Sequence, residues 1–397
     1  MPPDASLRVA MLVFNEVGRG TYFRALGFAR ALAARGHQLS VLAMSRTARW
    51  KVTERTEEGV RIVEFPDWLW GPLRSGWDPV ETLARLRWLS HEPFDVVHAF
   101  ESRPTVIVPA LYATRQHRAA LVMDWCDWFG AGGSVEMRPN PLVRTVLRPV
   151  ESWFEEHFRT QAAGTTVINS VLRDKALALG VAPESILWLP NGADSHRLRP
   201  IPRAEARQRL GLPHEPLLIG YVGSAFPVDL DLMGAAFDRL HALRPGVKLL
   251  RLGQHTYPLL AHLRDTEALL EPGYLSEEAL NLHLAACDLF WLPLVNTGAN
   301  RGRMPAKLLD YLCIGRPVVA TRVGDIETLF EQEKLGRLAD DTPEDVVRQT
   351  LALLDEEPTA HQHYHLTGQR LIRECFNWDR QAGRLEHHYF SALRHHP

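Results

Sequence analysis

The sequence predicts an α/β protein made of two doubly wound parallel sheets, and three observations point to it. Short, nearly continuous apolar runs alternate with helix-length amphipathic stretches along the 397-residue chain, as expected for strands covered on both faces by helices. A proline-bracketed, charged segment between 189–194 and 213–216 breaks this alternation and marks a domain boundary. The length also exceeds what one hydrophobic core usually serves.

The first strand is Leu7-Arg8-Val9-Ala10-Met11-Leu12-Val13-Phe14. It opens into Asn15-Glu16-Val17-Gly18-Arg19-Gly20-Thr21, after which 22–35 has helical spacing, stops at Gly36-His37 and leads to a strand at 39–44. That is a βαβ unit of the nucleotide-binding type. Its loop is not GxGxxG, so Gly18 and Gly20 either make a tight turn or let a phosphate or sugar approach. Further strands are expected at 60–65, 95–100, 120–124, 165–169 and 186–189. Ligands of such sheets lie beyond the carboxyl ends of strands, which selects His98, Asp124 and Asp127.

A second series follows, with strands at 217–224, 248–253, 268–274, 288–294 and 317–323 and helices at 233–243 and 276–286. The end of the chain reads as an amphipathic helix with Leu385, Tyr389 and Leu393 on one side. The expected organisation is a first domain over 1–198, a second over 199–375 and a terminal helix over 376–397, for which packing back on the first domain is one option and the sequence does not choose between the two.

Within the second series, a helix is expected over 304–314, with Pro305 in its first turn and Gly315-Arg316-Pro317 as its stop. Leu308, Leu309 and Leu312 turn inward, while Arg303, Lys307 and Asp310 stand at i, i+4 and i+7 on another face. Free N–H groups at the helix head, its positive dipole end and two cations favour a phosphate, and the carboxylate can accept from ribose hydroxyls. That is the chemistry of a nucleotide diphosphate. The same spacing also fits a solvated face with an ordinary salt bridge.

Composition narrows the alternatives. A content of 46% hydrophobic and 23% charged residues is that of a soluble globular protein, and a formal net charge of -2 gives no general attraction to nucleic acid. Four dispersed cysteines with no CxxC pattern argue against a metal centre or a disulfide framework and suit a reducing cytoplasm. No apolar run approaches the length of a bilayer span. Over 140–160, Arg144, Arg148 and Arg159 alternate with Leu142, Val143, Val146, Leu147, Trp153, Phe154 and Phe158, a basic amphipathic pattern suited to anionic lipid, although Glu151, Glu155 and Glu156 interrupt it. Trp68, Trp70, Trp77 and Trp88 crowd with Arg74, Arg85 and Arg87, either as buried packing or as a membrane- or acceptor-facing surface.

Taken together, several stretches resemble the family 4 glycosyltransferases. They include Gly20 with Gly36-His37, Asp95-Val96-Val97-His98, Val167-Ile168-Asn169-Ser170, Leu189-Pro190-Asn191-Gly192-Ala193-Asp194, Gly220-Tyr221-Val222-Gly223 and Pro305 to Thr321. The Pro-Asn-Gly-x-Asp and Lys-x-x-Asp-Tyr-Leu-x-x-Gly-x-Pro-Val-Val patterns are the most specific. The resemblance implies the GT-B fold, two Rossmann-like domains facing each other across a cleft. It also implies retaining, metal-independent sugar transfer, with a nucleotide diphosphate sugar as co-substrate and no other cofactor. The donor would lie on the C-terminal domain. The acceptor, a glycan, a lipid-linked species or a small molecule, would lie on the N-terminal one. A cytoplasmic enzyme, with a peripheral contact at the inner face of the membrane, is the matching expectation.

By the same resemblance, Asp310 is similar to the second carboxylate of the family's E-x7-E motif, and Gly302 stands where the first would be. The loop after Gly223 usually holds an Arg and a Lys, but 224–231 has neither, so Arg303 and Lys307 are expected to supply the diphosphate cations. The donor set is then Gly223, Ser224, Gly273, Tyr274, Leu275, Arg303, Met304, Lys307 and Asp310. Cys126 replaces a sugar-contacting His, leaving Asp127 or Asp124 to act with Lys307 and Arg303 in catalysis, and no base stands beside Cys126 in the sequence. Gly20, Arg19 and His98 form the expected acceptor loop set. The departures also fit a second expectation, a GT-B module that holds a nucleotide or glycan with little turnover.

Overall fold

The apolar run at the start becomes β1 (Arg8–Glu16), and Val9 to Val13 are fully buried, as a central parallel strand requires. The coordinates are a computed structural model, which describes residues 5–69, 76–195, 197–253, 259 and 267–395. Beyond β1 come α1 (Thr21–Ala34), β2 (Gln38–Met44), β3 (Thr53–Glu57), β4 (Val60–Phe65), α2 (Pro79–Leu89), β5 (Val96–Phe100), α3 (Pro104–His117), β6 (Ala120–Trp125), α4 (Pro141–Glu156), β7 (Gly164–Val167), α5 (Ser170–Ala178) and β8 (Ile186–Trp188). Their sheet order is β3-β4-β2-β1-β5-β6-β7-β8, parallel except where β3 pairs with β4. The order reverses beside β1, so the loops after β1 and β5 flank the switch point where such sheets bind ligands.

The antiparallel edge strand β3 was not expected. Its sequence, Thr-Glu-Arg-Thr-Glu, has no apolar face, and a charged, polar edge of that kind discourages pairing with other chains. From the tryptophan cluster, Trp77 packs edge-on against Phe154 and Trp88 stacks on Phe94; Trp70 and Arg74 lie outside the described residues.

The second sheet contains β9 (Leu218–Val222), β10 (Lys248–Leu252), β11 (Leu269–Gly273), β12 (Leu289–Leu292), β13 (Val318–Thr321) and β14 (Gly336–Ala339) in the order β11-β10-β9-β12-β13-β14, all parallel. Its helices are α6 (Arg203–Leu210), α7 (Pro227–Leu243), α8 (Glu277–Ala285), α9 (Gly298–Arg301), α10 (Ala306–Ile314), α11 (Asp325–Glu333), α12 (Pro343–Leu354) and α13 (Pro358–Glu374). Helix α7 starts earlier than the periodicity predicted, because Pro227 is pre-set for a first helical position. The switch point here lies between β9 and β12.

The chain divides into two units, one of Met1–Asn191 with Trp378–Pro397, the other of Gly192–Asn377. The final helix, α14 (Trp378–His395), belongs to the first unit. It buries Leu385, Tyr389 and Ala392, sets Trp378 edge-on to Phe28 with ring centroids 5.1 Å apart, and hydrogen-bonds the Tyr389 hydroxyl to His98 Nδ1 at 2.7 Å. Gly27 allows this contact, since a Cβ there would come within 2.5 Å of the Trp378 ring. Arg24 fixes the end of the unit's main segment by donating to Leu189 O and Asn191 Oδ1, both at 2.8 Å.

Candidate functional site

In the second unit, the polar groups expected at the head of α10 gather at the carboxyl end of β9. Helix α10 begins two residues later than predicted: Pro305 is its N-cap with extended backbone, and the residue before a proline is itself pushed out of helical conformation. Leu308, Leu309 and Leu312 are buried as expected. Tyr311 stacks on Phe290 at 4.1 Å, and its hydroxyl oxygen accepts the Val222 N–H at 3.2 Å, which ties α10 to the end of β9.

Lys307 donates to the Tyr221 hydroxyl and to Ser224 O, the latter at 2.7 Å, and its ammonium lies 3.9 Å from the Tyr221 ring centroid. Ser224 follows Gly223, whose φ of +77° belongs to a turn that favours glycine. Burial first, then the charge of Arg303, holds Lys307 well below the ordinary lysine range.

Arg303 corrects one expectation. Its guanidinium is already engaged: it donates to Asp229 Oδ2 at 3.0 Å and stacks over Phe226 at 4.5 Å. Asp229 is buried and also accepts from Asn300 Nδ2 at 2.7 Å and the Val295 N–H at 2.9 Å, so it links the loops after β9 and β12 across the switch point. Its carboxyl is raised, chiefly by burial. In the sequence, the stretch 224–231 stands out for its missing cations and not for Asp229. An acidic residue in the first turn of a helix beginning with proline is the signal that could have found it.

Asp310 faces Arg197 at 3.5 Å and is three-quarters shielded. Burial raises its carboxyl to about 6, against the opposing pull of Arg197 and Lys307. Met304 is buried. Gly273, Tyr274 and Leu275 lie at the carboxyl end of β11, two strands away from β9, with Tyr274 exposed.

The first unit sorts its expected residues differently. Gly20 caps α1 with φ +53°, where a Cβ would meet Asn15 at 2.8 Å, while Asn15 Oδ1 accepts the Thr21 N–H at 2.9 Å. Arg19 is exposed and paired with Glu16 at 2.7 Å. His98 is not a loop residue. It is fully buried in β5, bonded to Tyr389, and burial lowers it to about 3, so its ring is a neutral packing group. Asp124 is likewise withdrawn from any substrate, fully buried with both oxygens on the Arg24 guanidinium at 2.8 and 2.9 Å. Asp127 remains, half-buried just past β6.

Beside it, Glu101 brings a carboxylate to Cys126, with Oε1 3.1 Å from Sγ. A base therefore stands there after all, yet burial first and then the nearby carboxylates push the thiol well above its ordinary range, the opposite of an activated nucleophile. Donor atoms of Glu101, Cys126 and Asp127 lie within 4.8 Å of one another. A cation there would have to displace the hydrogen bonds on Glu101 Oε1 and face Arg159, whose Nη2 is 3.6 Å from Oε2.

Two parallel α/β units, each with polar groups at its switch point and the second with cations at a helix head, define a GT-B glycosyltransferase. Residues 19–192 match the family model for a glycosyl transferase 4-like domain, and 216–356 match that for glycosyl transferases group 1. The chain belongs to the family 4 glycosyltransferases and transfers a sugar from a nucleotide sugar to an acceptor.

Among curated relatives, the GDP-mannose-dependent alpha-(1-6)-phosphatidylinositol monomannoside mannosyltransferase of Mycolicibacterium smegmatis is 24% identical over 366 residues, spanning 88% of this chain and 90% of the relative. The D-inositol 3-phosphate glycosyltransferase of Saccharomonospora viridis is 26% identical over 271 residues, 64% of this chain and 60% of the relative. Among solved structures, the sucrose-phosphate synthase of Thermosynechococcus elongatus shares the fold with a TM-score of 0.75 at 17% identity, covering 97% of this chain and 100% of that one. Anabaena HepE in complex with UDP and glucose gives 0.70 at 14% identity, with the same coverage.

Proposed function

We propose that the chain transfers a hexosyl group with retention of configuration and without a resident metal. The nucleotide diphosphate lies on the second unit and the acceptor on the first. The observation that supports this most is the pairing of Lys307. Its ammonium bonds to two neutral oxygens at the head of α10, while neighbouring Arg303 is matched by Asp229. A diphosphate oxygen is a stronger partner for Lys307 than a phenol or a carbonyl, and the helix-end N–H groups add to it.

In the proposed reaction the leaving diphosphate departs on the face where the acceptor arrives and takes the acceptor's proton. The protein then has to stabilise negative charge growing on that phosphate. Lys307 does this, with Arg303 contributing its field; Asp310 accepts from the ribose; Asp127 hydrogen-bonds to an acceptor or sugar hydroxyl. The relatives' names share an inositol-bearing acceptor, so D-inositol 3-phosphate and phosphatidylinositol vesicles are the first acceptor probes.

A peripheral membrane contact is part of the same reading. Among the described residues, no helix is long and apolar enough to cross a membrane. Helix α4 instead exposes Leu142, Val143, Val146, Val150 and Trp153 on one face, with Leu142 78% and Val146 66% exposed. Of the glutamates that interrupt the basic pattern, Glu151 and Glu155 are buried, and Glu156 is about one-third exposed and paired with Lys175. Arg159 of the expected basic pattern is fully buried, and Arg148 beside the stripe pairs with Glu136 at 3.0 Å while staying more than half exposed; the exposed apolar stripe itself is what suits a lipid surface.

The test is titration with UDP, GDP and ADP, followed by turnover of GDP-mannose in the presence of the two acceptor probes. One nucleotide should bind, raising stability by about 2.7 kcal/mol at a hundred times its Kd, and its sugar should be transferred without metal in the presence of EDTA. Binding with neither transfer nor donor cleavage would contradict the reading.

A further inference from the structure

The loop that follows β6 is held from outside by acidic side chains. Glu101 Oε1 accepts the Cys126 N–H at 2.9 Å, the Asp127 N–H at 3.1 Å and the Cys126 thiol at 3.1 Å. Farther along, Glu155 accepts the Phe129 N–H at 2.8 Å and the Gly130 N–H at 2.7 Å, and Ser152 Oγ accepts the Ala131 N–H at 2.8 Å. Both glutamates are buried. A turn carbonyl or a water could satisfy such N–H groups without the desolvation that a buried carboxylate suffers. Glu101 also has φ +68°, a left-handed backbone that a non-glycine residue rarely adopts and that tends to persist at functional sites.

We propose that Glu101 is a positioning residue for sugar transfer: by holding the Cys126 and Asp127 N–H groups it fixes the direction in which the Asp127 carboxylate leaves β6 to meet the substrate. The proposal rests on the role given to Asp127 above. Burial raises the Glu101 carboxyl, against the opposing pull of Arg159 3.6 Å from Oε2. Glutamine keeps an oxygen that can accept the two N–H groups, and alanine does not.

The experiment is a double-mutant cycle on the full chain. Its members are Glu101→Ala, Asp127→Asn and both together, with Glu101→Gln as the conservative variant, assayed on the donor that wild-type protein turns over. Each single loss should cut kcat about tenfold or more with donor KM unchanged within about twofold, and the double variant should be no more than about twofold worse than Asp127→Asn alone, as for residues that act through one another. Glu101→Gln should keep at least about half of the wild-type kcat, because its amide oxygen still accepts the N–H groups. Multiplicative losses in the double variant, or a raised donor KM with kcat intact, would overturn the proposal and leave the transferase reading standing. If wild-type protein turns over no donor at all, that reading fails, and amide exchange judges the clamp alone. Faster exchange at Cys126 and Asp127 in Glu101→Ala supports it, and unchanged exchange refutes it.

Discussion

Arg303 and Asp229 form an ion pair of 3.0 Å with the carboxylate fully buried and the guanidinium about one-fifth exposed. The pair turns one of the two cations read from the sequence into a support for the loops around β9 and β12, and it leaves Lys307 as the cation facing neutral oxygens.

Removing the negative partner exposes that role. Asp229→Ala leaves Arg303, Asn300 and the Val295 N–H without their shared acceptor. Urea unfolding should show a loss of about 2–4 kcal/mol. Arg303→Met in the same background should recover part of it, because the uncompensated buried charge is gone. A loss below about 0.5 kcal/mol, typical of a surface change, would place the pair outside the fold's support.

Asp310 gives a pH signature of known sign. Its carboxyl is raised to about 6 in the folded chain, above the ordinary aspartate value of about 3.9. The native state therefore binds more protons than the unfolded one across that window, and the Asp310 contribution to stability falls as pH rises from about 4 to 6. Nucleotide affinity should move the other way, strengthening as the carboxylate forms and accepts from ribose. Titrations between pH 5 and pH 8 should show this in wild-type protein and a flattened profile in Asp310→Asn. A matching slope in both would remove Asp310 from the ribose contact.

The exposed face of α4 predicts lipid binding that a charge change abolishes. Flotation with vesicles containing anionic phospholipid should recover the wild-type chain, and Leu142→Glu with Val146→Glu should reduce recovery about tenfold without lowering Tm, since both side chains lie in solvent. Recovery equal to that on purely zwitterionic vesicles would argue against the surface.

The two sheets were legible because parallel strands buried on both faces read as apolar runs; β1, β9 and α10 with its inward leucines all follow that pattern. Edge strand β3 has no apolar face, so it left no trace. At the site, Lys307 and Asp310 could be found from helical spacing; Glu101 carried no signal, and Asp229 carried only the weaker one of an acidic first turn. Their importance comes from contacts with Cys126 and Asp127 in one case and with Val295 and Arg303 in the other, and local periodicity does not encode contacts of that range. His98 and Asp124 misled for the complementary reason: a strand end in the sequence says nothing of a helix such as α14, arriving from the far end of the chain to cover it.

The central claim is that Lys307 meets the diphosphate. Turnover of the donor that wild-type protein uses should fall about a hundredfold or more in Lys307→Met, the loss of about 2.7–4 kcal/mol expected when one such stabilising group is removed, with Tm unchanged. Turnover within about threefold of wild type in that folded variant would contradict the account.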